Sequence, residues 1–332
     1  MADRTTTWLG LTLTSPIVVS ASPISKDVGA VAEAVAAGAG AVVMASLFEE
    51  QITNDQMALH RYFDALSDAD AESASLRRAD LFPVDGGPHL AHLTALRKRV
   101  SVPVVASLNG TTPGGWTSYA KRLEDAGASA IELNLYDVVT SVEETSVVVE
   151  GRQLEVVRAV VDAVKVPVNV KVGPFYSALP AFAHQLERQG ALGLTVFNRF
   201  DQPDVSLETL DVDRHVTLST SAELPLRLHA LALLSPCVAL SLGCTGGVHT
   251  GRDAAKAILC GAHVVQVASV LLAKGPGHVA TLVAELVAWL DEQGYASVAE
   301  ARGLLDVRSV PDPHAYERLN YAKMLDGWAP AR

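Results

Sequence analysis

The chain has 332 residues, 49% of them apolar, and a formal net charge of −11. That length holds one large barrel or two ordinary domains, with enough apolar side chains for a sizeable core. The acidic balance argues against nucleic acid or an anionic membrane surface as the main partner, so any phosphate ligand is expected to be held by local N–H groups rather than by a basic field.

The opening MADRTTTWLG has no apolar core of signal-peptide length, and no apolar run reaches ~18 residues, so neither export nor a membrane span is expected. Cys237, Cys244 and Cys260 lie in apolar or loop settings without ligand spacing, which points to a reducing cytosol and no disulfide framework. No zinc pattern, Walker loop or G-x-S-x-G is present. A short hairpin is predicted over residues 6–13 around Gly10. Four apolar runs then begin just after a proline, at Pro16, Pro103, Pro167 and Pro236. Four more follow a Gly-Ala pair, at Gly40, Gly127, Gly190 and Gly261, and the two kinds alternate strictly. Proline is tolerated as the first residue of a strand, and a glycine after a helix takes the left-handed turn into the next strand.

Helical patterns fill the gaps at 28–37, 90–99, 116–125, 152–164, 179–188, 225–234, 252–259 and 277–290. Eight strands, each followed by a helix, predict a closed (β/α)8 TIM barrel. The chain is expected to be a single domain, with the barrel over about 15–292, an N-terminal hairpin, and a C-terminal helical extension over about 296–332 with helices at 297–305 and 313–325. An open doubly wound sheet would need a G-x-G-x-x-G after the first strand, and Ser20-Ala21-Ser22-Pro23 has none. Two inserts break the rhythm. Residues 49–88 are polar, with Asp64, Asp68, Asp70, Glu72, Arg77 and Arg78, and residues 197–224 are expected to hold an extra strand at 216–218. Both emerge at the C-terminal face, where barrel active sites lie.

The segment 238–272 reads as strand 238–242, a glycine turn at 243–247, a helix 251–259 capped by Thr250 and stopped at Gly261, and a strand 264–268. Gly246-Gly247 and Ala268-Ser269 are two successive strand-to-helix loops of small residues, the arrangement of a phosphate cradle after the last two strands of a barrel. His249 and His263 are placed near that cradle as packed or capping residues, and Cys244 as a small loop residue rather than a nucleophile.

The residues that leave the strands are small or amide-bearing: Ser20, Ala21 and Ser22, then Ala45 and Ser46, Asn109, Asn134, Lys171 and Asn198. Amides offer both donor and acceptor to a ring with alternating N–H and C=O groups, and a lysine can place positive charge beside a reduced heterocycle. Taken singly, these are ordinary turn amides and a lysine that reaches for water. Joined to a phosphate cradle, they fit flavin mononucleotide (FMN) better than a simple sugar phosphate.

At these residues the sequence resembles the dihydroorotate dehydrogenase family, FMN-containing (β/α)8 barrels, and most of all its cytosolic class 1 enzymes. The resemblance runs from about residue 9 to 305. It is strongest in Gly243-Cys244-Thr245-Gly246-Gly247-Val248-His249-Thr250-Gly251-Arg252-Asp253-Ala254, in Leu259-Cys260-Gly261-Ala262 and in Val265-Gln266-Val267-Ala268-Ser269. Ile131-Glu132-Leu133-Asn134-Leu135 matches the family's E-L-N-L strand and Asn169-Val170-Lys171-Val172 its G-V-K-L strand. The resemblance implies a cofactor set of Ala21, Ser22, Ala45, Ser46, Asn109, Asn134, Lys171, Asn198, Ser219, Thr220, Gly246, Gly247, Ala268 and Ser269, with Ser219 and Thr220 offering backbone N–H groups to the phosphate. It also implies a small-molecule substrate, a place in pyrimidine biosynthesis, and a cytoplasmic homodimer. No electron acceptor is assigned.

The departures concern the substrate half. Ala45 stands where the family has a lysine. After Asn134-Leu135 the family continues S-C-P-N, whose Cys takes the substrate proton; here Tyr136-Asp137-Val138-Val139 follows. Asp137 thus holds the base position, with Lys171 and Asn134 beside it as the catalytic set. The alternatives are an Asp137 that caps a helix or faces water, and a Tyr136 that acts as acid or stacking ring. The family's M-G-x-x-N loop is not recognisable in residues 79–88, and the tail 312–323 resembles a bacterial subgroup called dihydroorotate dehydrogenase-like. Dihydroorotate is therefore expected to be a poor substrate. A non-catalytic or regulatory flavin-binding barrel is the second reading. A flavin-free sugar-phosphate barrel is a third, against which Asn134, Lys171 and Asn198 argue.

Overall fold

Leu9 and Gly10 both take left-handed backbone angles (φ 56° and 75°), which closes the hairpin of β1 (Thr6–Trp8) and β2 (Leu11–Leu13) in two residues. A leucine is strained there, and its burial, together with a hydrogen bond from its N–H to Ser241 Oγ at 3.1 Å, offsets the strain. The computed structural model describes residues 1–48, 87–109, 113–200, 202–213 and 217–327.

Beyond the hairpin the strands are β3 (Ile17–Val19), β4 (Ala41–Val43) with its continuation β5 (Leu47–Phe48), β6 (Val104–Asn109), β7 (Ala130–Leu135), β8 (Val168–Val172), β9 (Gly193–Val196), an antiparallel pair β10 (Asp204–Ser206) and β11 (Asp211–Asp213), β12 (Ser241–Thr245) and β13 (Val264–Val267). β3, β4, β6, β7, β8, β9, β12 and β13 pair in parallel in that order, and β13 returns to β3, which closes the TIM barrel. The strand-opening prolines act as expected of residues without an N–H. Pro16, Pro103 and Pro167 contribute only their carbonyls, to Val265, Val42 and Ile131.

The helices are α1 (Val28–Ala36), α2 (Gly87–Arg99), α3 (Pro113–Asp125), α4 (Ser146–Ala163), α5 (Leu179–Arg188), α6 (Leu224–Leu234), α7 (Gly251–Leu259), α8 (Ser269–Lys274), α9 (Val279–Gln293), α10 (Val298–Ala301) and α11 (Arg318–Asp326). Asp27 caps α1 through two backbone N–H groups, and Thr250 with Asp253 forms a reciprocal capping box on α7. The main core lies between strands and helices. A second cluster of Trp8, Leu9, Leu13, Val18, Ala41, Val43, Val105, Ala130 and Val264 plugs the barrel's N-terminal end with the hairpin.

Three expectations need correction. The seventh barrel strand runs over Ser241–Thr245, not 238–242. Gly243 belongs to it because a Cβ there would sit 2.5 Å from Thr195 Oγ1; the turn is made by Gly246 and Gly247 alone, at φ +87° and +79°. The extra strand is not at 216–218: Val216 lies outside the described residues, Thr217 and Leu218 are irregular, and the additional pairing is β10 with β11. The helix expected at 277–290 is α9, with the additional short helix α8 before it. The helix expected at 297–305 is only Val298–Ala301, since Gly303 turns left-handed at φ +77°. The polar insert, including Asp64, Asp68, Asp70, Glu72, Arg77 and Arg78, lies outside the described residues except for Gly87 and Pro88.

Candidate functional site

Successive strand residues alternate between the barrel interior and the helix layer. On β6, β7 and β8 the ladder sets Ser107 beside Glu132 and Glu132 beside Asn169, and two residues on it sets Asn109 beside Asn134 and Asn134 beside Lys171. Two polar layers are thus stacked inside the barrel. In the lower one, Glu132 Oε2 accepts from Asn169 Nδ2 at 3.1 Å and from Gln266 Nε2 at 2.9 Å. Both amides also donate to Thr195 Oγ1, at 3.0 and 3.2 Å. Lys171 in the upper layer lies with Nζ 3.7 Å from Glu132 Oε1, and both side chains are buried. The lysine therefore stays at the strand end and does not reach out to water.

Above the upper layer opens a cavity of about 730 Å³, in the range of cofactor-bearing sites. Ala21, Ser22, Ala45, Ser46, Asn109, Asn134, Lys171 and Asn198, all expected at the strand ends, line it. So do Lys26, His89, His92, Tyr136, Arg199 and Phe200. No carboxylate is among its described lining residues, whereas Lys26, Lys171 and Arg199 are cationic. Arg199 Nη1 is paired with Glu223 Oε1 at 3.6 Å and Lys171 with Glu132, so in a chain of net charge −11 the described lining presents cations whose counter-charges stand behind them. Asn134 Oδ1 is buried without a donor. Phe200 packs edge-on to Phe175, with ring centroids 4.6 Å apart, and lies 6.3 Å from the Tyr136 ring.

The residues of the expected phosphate cradle gather beside the cavity rather than in its described lining. Gly247 donates to Ser219 Oγ at 3.4 Å, the Ser219 N–H donates to Ser269 Oγ at 3.1 Å, and His249 Nε2 lies 3.2 Å from Ser219 Oγ. Ala268 precedes α8, and Thr220 precedes a short 3-10 turn at Ser221–Glu223. Buried Arg227 lies under the glycines, donating from Nε to the Thr245 carbonyl at 3.1 Å and from Nη1 to that of Glu223 at 2.8 Å. A Cβ on Gly246 would approach Arg227 Nη2 to 2.9 Å. A cation therefore lies at the cradle as well as N–H groups. His263 is not near it: the ring sits at the opposite end of the barrel, where Nδ1 accepts from the Leu242 N–H at 3.0 Å and burial pushes its pKa down to about 4. Cys244 is buried within β12, and burial pushes its thiol up to about 12, so it holds its proton.

Asp137 is not brought to the cavity. Its Oδ2 lies 2.5 Å from Arg152 Nη2, and Arg152 Nη1 binds Glu144 Oε1 at 2.5 Å. The Glu144 and Asp137 carboxylates raise the Arg152 pKa. The chain turns outward after Tyr136, leaving Val138 and Val139 exposed. Sequence reasoning passed over Lys26, His89, His92, Arg199, Phe200 and Arg227. One signal was present: His89 and His92 are three apart, a spacing that puts both on one helix face. His92 Nε2 lies 2.7 Å from the Ser25 carbonyl oxygen. His89 Nε2 is buried without a partner, and burial, with His92 beside it, pushes that ring down to about 4.

The profile of the family described as dihydroorotate dehydrogenase matches residues 4–290. Among similar curated proteins is the putative dihydroorotate dehydrogenase A (fumarate) of Aeropyrum pernix, 30% identical over 219 residues, which cover 62% of this chain and 68% of that protein. The catalytic subunit of dihydroorotate dehydrogenase B (NAD(+)) from Anoxybacillus flavithermus is 28% identical, with 61% and 66% covered. Among solved structures, DHODH from Eimeria tenella in complex with ferulenol superposes with a TM-score of 0.65 at 17% identity, over 91% of this chain and 88% of that one, a likeness of fold.

Proposed function

The chain belongs to the dihydroorotate dehydrogenase family, and on that premise we propose that it is an FMN-dependent oxidoreductase acting on a CH–CH bond of dihydroorotate or a closely related anionic ring. The observation that carries the reading is the adjacent triple Asn109, Asn134 and Lys171 at the floor of a cavity whose described lining residues include no carboxylate. The residues fit the cofactor. Asn134 Oδ1 is a buried acceptor that lacks a donor, as an imide N–H requires, and Gly246 and Gly247 form a turn in which a Cβ would run into Arg227 or Leu224. When bound, the flavin supplies the hydride acceptor for oxidation of the CH–CH bond.

In this reading Ala21, Ser22, Ala45, Ser46, Asn109, Asn134, Lys171 and Asn198 hold the ring system. Ser219, Thr220, Gly246, Gly247, Ala268 and Ser269 hold the phosphate, with Arg227 giving charge from below. Lys171 holds positive charge where negative charge develops, and the Glu132 carboxylate keeps its ammonium in place without entering the cavity. Lys26 and Arg199 give an anionic substrate its attraction. We read the barrel and its C-terminal extension as one domain, supported by the hydrogen bonds from Val307 N–H to Ala232 O at 3.1 Å and from Leu305 N–H to Leu259 O at 2.8 Å.

We place the protein in the cytoplasm as a homodimer. Among the described residues no helix is long and apolar enough to cross a membrane, and the β10–β11 hairpin exposes Val205, Leu207, Leu210 and Val212 together. The test of the cofactor assignment is the absorbance of the purified protein before and after denaturation. A yellow protein releasing FMN supports the reading; a colourless one that binds no added FMN ends it.

A further inference from the structure

We propose that His92 is the residue that takes the substrate proton, in place of the strand-4 loop residue that does so elsewhere in the family. The inference rests on the oxidoreductase reading above and names the proton acceptor of that same site. The loop that would otherwise carry a base leaves the cavity, and its carboxylate, Asp137, is engaged by Arg152. The cavity needs another acceptor. Lysine and arginine side chains have donors only, and amides are too weakly basic. Among the described lining residues the hydroxyls of Ser22, Ser46, Tyr136 and Thr217 are weaker bases than a neutral imidazole, which leaves the two imidazoles in the first two turns of α2.

His92 is oriented as a base should be. Its Nε2 lies 2.7 Å from the Ser25 carbonyl oxygen, which can only accept, so Nε2 carries the hydrogen. In the neutral ring the lone pair is then on Nδ1. Among the described residues that nitrogen has no hydrogen-bond partner, it is not one of the sealed, partnerless polar atoms, and His92 lines the cavity. A proton gained at Nδ1 leaves the Nε2–H···O=C bond intact and strengthens it, because the donor becomes charged. The charged and titratable groups that share the cavity are Lys26, His89, Tyr136, Lys171 and Arg199. Burial holds the His89 pKa down to about 4, so that ring is neutral near neutral pH and does not compete for the proton.

The step balances as follows. One substrate carbon loses hydrogen with its electron pair to the flavin. The neighbouring carbon loses a proton to His92 Nδ1, and the C–H electrons left behind form the second bond of the C=C product. The imidazolium returns its proton to water.

The test is made on the FMN-loaded protein, mixed anaerobically with dihydroorotate across pH 5–9, and by imidazole NMR of the same protein without substrate. His92→Gln keeps an N–H for the Ser25 carbonyl and removes the ring lone pair. We expect dihydroorotate to bleach the wild-type flavin along an ascending pH limb. His92→Gln should bind FMN as tightly, bleach about 10²–10⁴-fold more slowly, and lose that limb. His89→Gln should keep the ascending limb, since its buried ring is already neutral across that range. NMR should show His92 as the Nε2–H tautomer. Bleaching of His92→Gln within threefold of wild type, an Nδ1–H tautomer, or a loaded wild type that dihydroorotate does not bleach would each overturn the inference. A protein that takes up no FMN, or a loaded wild type that dihydroorotate does not bleach, refutes the oxidoreductase reading itself; the other outcomes refute the His92 assignment alone.

Discussion

Lys171 Nζ lies 3.7 Å from Glu132 Oε1 inside the barrel, in ion-pair range but beyond hydrogen-bonding distance, with both side chains almost wholly buried. The pair joins the polar layer that seals the barrel to the layer that floors the cavity. Breaking a buried pair from one side strands the other charge, at a cost of about 3–5 kcal/mol. Glu132→Gln is therefore expected to lower the urea midpoint substantially, and Glu132→Gln combined with Lys171→Met to recover much of the loss while abolishing flavin reduction. Equal destabilisation in single and double variants would show that the pair is not coupled.

Gly247 sits at φ +79°, and a Cβ on it would lie 2.5 Å from Leu224 N. Gly247→Ala should lose at least ~1–2 kcal/mol from the left-handed backbone alone and bind FMN at least tenfold more weakly in a fluorescence titration. Unchanged affinity would remove the glycine pair from the phosphate site.

Asp137 and Arg152 hold each other outside the cavity. Asp137→Ala is expected to leave the rate of flavin bleaching within about threefold, far from the 10²–10⁴-fold of a lost general base. A loss of that larger size would return Asp137 to the chemistry.

His263 and His89 are both pushed by burial from the usual histidine range down to about 4. Each is neutral in the folded chain, while in the unfolded chain each takes a proton below about pH 6.5. The unfolded state thus binds more protons between pH 4 and 6.5, so stability rises with pH across that window and is lost as pH falls through it. The slope for one such group is at most about 1.4 kcal/mol per pH unit. His263→Asn should flatten the fall in melting temperature from pH 6.5 to 4, and an unaltered profile would contradict the buried neutral ring.

The β10–β11 hairpin exposes Leu207 and Leu210 at 79% and 87%. Light scattering is expected to give twice the chain mass of 35.0 kDa, and Leu207→Asp to shift it toward the monomer. A wild type that stays at the monomer mass at all concentrations contradicts the dimer.

The barrel was legible because its punctuation is repeated: Pro16, Pro103 and Pro167 open three of the strands and a Gly-Ala pair precedes four others, each with a local steric reason, whereas Pro236 lies in a turn before β12. Asn109, Asn134 and Lys171 were legible because a strand's last inward residue must face the mouth. What the sequence did not reveal depends on contacts distant in the chain. Gly243 looks like a turn residue until Thr195 is seen against it. Asp137 looks like a base until Arg152 is found on it. His92 is an unremarkable helix histidine until the Ser25 carbonyl, 67 positions earlier, selects its tautomer. Arg227 reaches the cradle only through the folding of α6 against β12.

The central claim, that the cavity holds FMN and oxidises a dihydroorotate-like ring, is tested most directly by anaerobic stopped-flow mixing of the purified protein with dihydroorotate, following the flavin absorbance. The account expects a flavin spectrum that bleaches completely, at a rate well below the ~10 s⁻¹ common for enzymes, because Ala45 and Val139 replace the family's substrate contacts. A protein without flavin, or a flavin that dihydroorotate leaves fully oxidised, would contradict it.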